Sequence, residues 1–181
     1  MDELVDILDE NGNLTGQTCL KSEAHLKGYF HPTVHVWFYT VDGKVLFQKR
    51  AANKDTFPGL WDVSVAGHIE AGEDVIEAAV REVEEEIGLM VKVGDLEKIG
   101  YFLSIHQHSK TLLDKEFHHT FICELEVPLP QLVKQESEVD ALDLINIEKF
   151  KSKVVSNQLD GFVPNDSNYY AKVIEEISQR L

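Results

Sequence analysis

The segment from Gly67 to Leu89, GHIEAGEDVIEAAVREVEEEIGL, constrains this chain more than any other. Its second half predicts an amphipathic helix: at about 3.6 residues per turn, Ile76, Val80, Val83 and Ile87 recur at steps of four, three and four and share one stripe. Glu82, Glu85 and Glu86 lie three and four apart, so they cluster on the other side within one turn. Carboxylates that close repel one another, and helix propensity offers no reason to stack them. A Glu-rich helix ordinarily presents such a row as a solvated acidic face. The loop in front argues for more. Gly67 and Gly72 bracket a turn that feeds the helix, and Glu73 stands near its start, where negative charge suits the positive end of the dipole. A loop-helix with packed-in carboxylates suits hard, oxygen-preferring cations such as Mg2+ or Mn2+.

These residues resemble a complete Nudix box, whose pattern is G-x5-E-x7-R-E-U-x-E-E-x-G-U with U a bulky apolar residue. Gly67, Glu73, Arg81, Glu82, Val83, Glu85, Glu86, Gly88 and Leu89 fill it without departure. The resemblance implies an α/β fold, the Nudix α/β/α sandwich with a mixed sheet, and Mg2+-dependent cleavage of a diphosphate bonded to another moiety. It also implies that Glu82, Glu85 and Glu86 hold metal, with the Ala66 carbonyl as an added ligand. Glu73 and Arg81 would brace the loop-helix, with Gly67 and Gly88 shaping its ends. By spacing alone, Arg81 has Glu77 and Glu85 four residues to either side, and an ordinary helix ion pair is worth only a few tenths of a kcal/mol.

Composition bounds what remains. With 181 residues, the chain fits a single domain over 1–181, its first thirty residues forming an N-terminal extension too short to bury a core of its own. A hydrophobic share of 43% argues against disorder, and no apolar run reaches membrane-spanning length. The net charge of -15 argues against nonspecific binding to a nucleic acid polymer and against docking on an anionic membrane. It also requires a local basic pocket, plus metal, for any anionic substrate. Cys19 and Cys123 give no disulfide framework, and the acidic opening MDELVDILDE is no signal peptide, so a cytoplasmic location is expected. A homodimer is compatible with a fold of this kind, although no exposed seam is legible.

In chain order, Leu4 to Leu8 and Leu14 to Thr18 predict a hairpin around Asn11-Gly12. Ser22 is expected to cap a short helix closing at Gly28. Val34 to Thr40 and Lys44 to Lys49 predict strands around Asp42-Gly43, followed by the loop RAANKDTFPG and a short strand at Trp61 to Val65. Glu97 to His106 and Glu116 to Glu126 predict strands flanking the turn HSKTLLDK. VPLPQL is expected to open a less ordered acidic stretch. Ile147 to Val155 predicts a helix, and Asn168 to Leu181 a final one with Tyr170, Val173, Ile174 and Ile177 inward.

The flanks VDILDENGNLTG, KSEAHLKGYFH, KRAANKDTFPGLWDVSVAGH and DKEF resemble the Nudix branch that includes isopentenyl diphosphate isomerase and its hydrolase relatives. That likeness implies a metal site at His25, His31, His68, Asp114 and Glu116, and diphosphate contacts at Lys21, Arg50 and Lys54. Each also has an ordinary reading as a surface charge, a satisfied histidine or a solvent-facing strand residue. Phe57 and Trp61 are expected to pack rather than to stack on a base. His106, His108, His118 and His119 receive no role. The isomerase carries an acid-base cysteine immediately before the first glycine of the box, and this chain has Ala66 there; it also tends to carry a basic residue where this chain has Glu82. Hydrolysis is therefore expected, with Glu85, Glu86 or Glu116 accepting a proton from water. The substrate would be a small-molecule nucleotide-type or other organic diphosphate. The alternatives are an isoprenoid-diphosphate hydrolase or isomerase, and a non-catalytic sensor.

Overall fold

A computed structural model describes residues 2–181; Met1, the first residue of the expected domain, lies outside the described residues. Its centre is the strand β3, His31–Tyr39, in which every residue is buried. Such a strand must be covered on both faces, and its alternating side chains show how. Val34, Val36 and Phe38 enter one apolar cluster with Ala79, Val83 and Ile87 of the helix Val75–Ile87. Trp37 and Tyr39 enter a second, with Phe150 of the helix Ile147–Val155 and Tyr170, Val173 and Ile177 of the helix Ser167–Ser178. The sheet therefore lies between helical layers, the expected α/β/α sandwich. None of the helices is long and apolar enough to cross a membrane, among the described residues.

Before β3 come β1 (Leu4–Leu8), β2 (Leu14–Leu20) and α1 (Lys21–Lys27); after it come β4 (Lys44–Arg50), β5 (Trp61–Asp62) and β6 (Val65–His68). The helix Val75–Ile87 is α2, followed by β7 (Glu97–Gln107), β8 (Leu113–Glu124) and β9 (Val139–Asn146); Ile147–Val155 and Ser167–Ser178 are α3 and α4. The main sheet runs β5-β4-β3-β8-β7 and is mixed, since β3 pairs parallel with β8 and antiparallel with β4 and β6. On its open side β3 divides its partners. Thr33 to Val36 pair with β6, and Tyr39 pairs with β4. Ser64 bridges the divide: its hydroxyl accepts from Phe38 N at 2.9 Å and donates to Leu46 O at 2.5 Å.

The hairpin β1-β2 forms as predicted, with Asp9 Oδ1 accepting from Asn11 N and Asn13 N at 2.8 and 2.9 Å around the turn. It docks by backbone bonds from Leu8 N to Phe30 O and from Ala71 N to Leu4 O, and brings Glu3 toward the box.

Four local expectations need correction. Ser22 does not cap α1; the helix begins a residue earlier, and the Ser22 hydroxyl instead donates to Asp2 Oδ2 at 2.6 Å. The strand expected over Trp61 to Val65 is two short strands, broken where Ser64 bridges the sheet. The turn before β8 is shorter than HSKTLLDK, because β8 begins at Leu113. The acidic stretch after VPLPQL contains β9, paired along β4 from Asn146 to Val139. Its aspartates, Asp140 and Asp143, sit on exposed positions and mask a strand whose Leu142 and Leu144 pack against the first core and Ile145 against the second.

Candidate active site

The carboxylates of α2 do not form a solvated face. Glu82 and Glu86, four residues apart, share the inner side with Val83 and Ile87 and are 9% and 5% exposed, whereas the Glu85 side chain is 52% exposed. The apolar stripe is correspondingly narrower than expected, with Ile76 and Val80 only partly buried. Gly67 makes the approach possible, because a Cβ there would fall on the Glu82 carboxylate. Glu86 Oε2 accepts from Gln48 Nε2 at 2.9 Å and from Ala66 N at 3.1 Å, both presented where β4 and β6 separate. Burial pushes the Glu82 carboxyl up to about 7 against the pull of Arg81. Burial, reinforced by the charge of Glu82, pushes Glu86 up to about 8. Two dry carboxyls that cannot both ionise unaided are what a cation would neutralise.

Arg81 has more than the helix-spaced partners its sequence offers. Its guanidinium donates to both oxygens of Glu73 at 2.8 and 2.9 Å, to Glu82 Oε1 at 2.8 Å, to Glu85 Oε2 at 3.2 Å and to the His68 carbonyl at 3.0 Å. It ties loop, helix and β6 together. The expected dipole role belongs to Asp74, whose carboxylate caps α2 by accepting from Ile76 N and Glu77 N. Gly88 closes the helix at φ 65°, a left-handed conformation with backbone and side chain of Val133 against it, so no larger residue fits without strain.

Beside the box lies a second group. α1 supplies His25, the start of β3 His31, β6 His68 and β8 Asp114 and Glu116. Nε2 of His68 and of His31 stand 3.4 and 3.6 Å from Glu116 Oε1, and Nε2 of His25 stands 3.6 Å from Asp114 Oδ1. His31 donates Nδ1–H to the Tyr29 carbonyl at 3.1 Å, which turns its Nε2 toward the group. Nε2 of His25, His31 and His68 and Asp114 Oδ1 are buried without hydrogen-bond partners. Orphaned imidazole nitrogens converging on carboxylates fit a cation, and His25, His31, His68 and Glu116 each have a ligand atom within 4.8 Å of the others. Burial would raise both acids; the histidines His31 and His68 instead hold Glu116 well below the usual range, and burial with the Glu116 charge pushes Asp114 up to about 8.

The basic residues surround the same cavity, of about 470 Å³, but each has an acid beside it. Lys21 pairs with Glu3 at 2.8 Å, Arg50 with Asp62 at 2.9 Å and Lys54 with Glu138. Arg50 is further held by the carbonyl and hydroxyl of Thr56. Trp61 packs in the second core as expected, while Phe57 forms part of the cavity wall, edge-on to His106 and His108. Sequence reasoning missed Gln48, Glu3 and the pair His35 and His118. Only Gln48 carried a signal, a polar residue inside the run VLFQ.

The NUDIX domain family matches residues 29–171. The chain belongs to the NUDIX family. Among its relatives is an uncharacterized Nudix hydrolase of Clostridium acetobutylicum, 39% identical over 88% of this chain and 77% of the relative. Nudix hydrolase 3 of Arabidopsis thaliana is 34% identical over 99% of this chain, which spans only 24% of that longer protein. Isopentenyl-diphosphate Delta-isomerase 2 of Photorhabdus laumondii is 29% identical over 98% of this chain and 94% of its own, which places the chain in the isomerase-like branch of the Nudix family. The Nudix fold is shared with the DR0079 protein of Deinococcus radiodurans, at a TM-score of 0.65 and 16% identity over 96% of this chain and 98% of that one. Its class is that of the Nudix hydrolases, which act on pyrophosphate bonds.

One consequence concerns Gly67. The atom a methyl would displace is the tip of a flexible side chain, so Gly67→Ala is expected to leave the melting temperature nearly unchanged. With Glu82 pushed aside, Mg2+ affinity measured by calorimetry should fall by at least about tenfold. Unchanged affinity would mean that Glu82 does not face the cation.

Proposed function

We propose that this chain is a Mg2+-dependent hydrolase of a small organic diphosphate, working as one unit across the described residues. The observation that carries this reading is the pair of buried carboxyls of Glu82 and Glu86 lining the same cavity as the histidine-carboxylate group with its unpartnered nitrogens. Glu82, Glu85 and Glu86, with the Ala66 carbonyl beside them, are the candidate ligands for Mg2+ or Mn2+. His25, His31, His68 and Glu116, with Asp114, form a second candidate group whose imidazole-rich donors favour a transition metal such as Mn2+. Cations bound there would neutralise charge on the diphosphate and make water a better nucleophile at neutral pH.

The chain's own residues supply the rest. Arg50 and Lys54 stand across the cavity from α2 and hold the phosphate that is not attacked, and Lys21 serves the same role from α1. Each would exchange its present carboxylate partner for a phosphate oxygen. Glu116, kept ionised by its histidines, or Glu85 or Glu86 accepts the proton of the attacking water. Glu73 and Arg81 keep the loop and helix in register while this happens.

A second reading, an isoprenoid-diphosphate enzyme, is favoured by the isomerase relatives and by the histidine group. Ala66 speaks against isomerisation, because no titratable atom stands where that proton transfer needs one. A screen with Mg2+ over nucleotides, nucleotide sugars, dinucleotides and isopentenyl diphosphate separates these readings, with phosphate released through a coupling phosphatase where the products are monoesters. Cleavage in the screen is the expected result. Rearrangement of isopentenyl diphosphate followed by proton NMR, without phosphate release, would establish the isomerase instead; tight binding without any turnover would establish a sensor.

A further inference from the structure

We infer that β7 is a self-association edge: two copies of this chain pair their β7 strands antiparallel about a two-fold axis, with Leu103 facing its own copy. β7 ends the main sheet, and among the described residues β8 is its only strand partner. Its outward backbone N–H and C=O groups are therefore a template for one more strand. Sheet edges are ordinarily protected by shortness, proline, bulges or charge. The opposite end of this sheet follows that rule, since β5 is two residues long, whereas β7 runs for 11. The segment from Ile99 to Gln107, IGYFLSIHQ, holds no proline and no Lys, Arg, Asp or Glu. The register irregularity lies between Lys98 and Gly100, and from Gly100 to Gln107 the pairing with β8 is regular, so no bulge turns the free edge away.

Side chains and charge specify a second copy as the occupant. Alternation sends Ser104 and His106 into the cavity and Tyr101, Leu103 and Ile105 to the other face, where they are 39%, 47% and 50% exposed. That row is symmetric about Leu103. With Leu103 against its own copy, Tyr101 lies opposite Ile105 of the second copy and Ile105 opposite its Tyr101, so each apolar side chain meets another. Tyr101 is already held as an anchor: its ring stacks on Phe117, 5.1 Å between centroids, and its hydroxyl donates to the Gly12 carbonyl at 3.0 Å. Chains of net charge -15 repel one another wherever acidic faces meet. Between Glu97 and His119 the acids are Glu97, Asp114 and Glu116. The last two line the cavity, and Glu97 is paired with Arg180, while Lys98, Lys110 and Lys115 belong to the same segment. Asp9 of the hairpin lies near Tyr101, and the two-fold axis turns Lys115 of the second copy, which stands opposite Ile105, toward that end. Here two acidic chains approach at the least electrostatic cost.

Sedimentation velocity of the wild-type protein over a concentration series is expected to show a monomer-dimer equilibrium with Kd in the micromolar range, since a single strand pair is a small interface. Leu103→Lys sets two ammonium groups against each other across the axis and should raise Kd by at least about a hundredfold, with the circular dichroism spectrum unchanged. The register is read by cross-linking. Facing residues of an antiparallel pair have Cα atoms about 4.5 or 5.5 Å apart, within the span of a disulfide. Leu103→Cys should therefore link to its own copy under mild oxidation, and Gln107→Cys, whose copies lie at opposite ends of the paired strands, should not. Cys19 and Cys123 are buried, so the oxidised wild type is the blank. A wild-type chain that stays monomeric throughout the series would overturn the inference and leave the edge to a different partner. A dimer that survives Leu103→Lys, or one that links through Gln107→Cys and not through Leu103→Cys, would overturn it as well.

Discussion

Replacing Glu86 by glutamine is expected to lower turnover about a thousandfold while leaving the fold intact. The magnitude follows from the several kcal/mol that charge neutralisation contributes to phosphoryl transfer, each step of about 1.4 kcal/mol being a factor of ten. The survival of the fold follows from the hydrogen bonds. Gln48 Nε2 and Ala66 N both donate to the same oxygen, Oε2, so a glutamine oxygen accepts both and its amide takes the place of the other carboxylate oxygen. Glutamine also resembles the protonated acid that burial already favours at this position. Without metal near neutral pH the variant should melt no lower than the wild type, because glutamine does not carry the cost of keeping a buried acid protonated. The measurement is kcat at saturating Mg2+, with a thermal melt beside it. Near-wild-type turnover would remove Glu86, and with it the box, from the chemistry.

The second large effect is a stability profile that reverses with metal. Glu82, Glu86 and Asp114 hold their protons to about 7, 8 and 8 in the folded protein, far above the unfolded values. Their stabilising contribution is complete below the unfolded carboxyl range and is lost as pH rises through the folded values, because the folded state then binds more protons than the unfolded one. His31 adds to the same slope: burial would lower it, but Glu116 outweighs burial and raises it. Burial lowers His25, His35, His118 and His119 to about 4, 4, 3 and 4, and these work in the opposite sense. They destabilise as pH falls below the unfolded histidine value, so their effect is largely complete by about pH 7. Between about pH 7 and 8 the metal-free protein should melt at progressively lower temperature. Saturating Mg2+ replaces those protons and should flatten or invert the slope. Glu86→Gln should weaken the slope without metal. A metal-free melting temperature that does not move across this interval would show that the acids are not buried together.

The two effects depend on different kinds of information. The spacing of Glu82, Glu85 and Glu86, the hairpin at Asn11-Gly12 and the helix Ile147–Val155 were legible because each is a local pattern: a period, a turn dipeptide, an apolar stripe. Local pattern misled at β9, where aspartates interrupt the apolar alternation and only pairing with β4 makes the segment a strand. It misled at Ser22 too, since a cap requires the helix to start after it, and Asp2 claims the hydroxyl first. Arg81 shows the same limit. Its helical neighbours suggested a weak surface pair, whereas Glu73 and the His68 carbonyl, brought in by the loop, make it a brace.

By itself the sequence determined the family, the sandwich and which carboxylates stand within one turn, since these depend on residues a few positions apart. Tertiary structure decided which acids are dry and which one is wet, and it gathered His25, His31, His68, Asp114 and Glu116 from separate elements into one group. It also joined His35 to the hydroxyl of Tyr169, 134 positions along the chain. Desolvation and hydrogen-bond partnership belong to neighbours in space, and in this protein the neighbours that give the side chains their chemistry come from opposite ends of the chain.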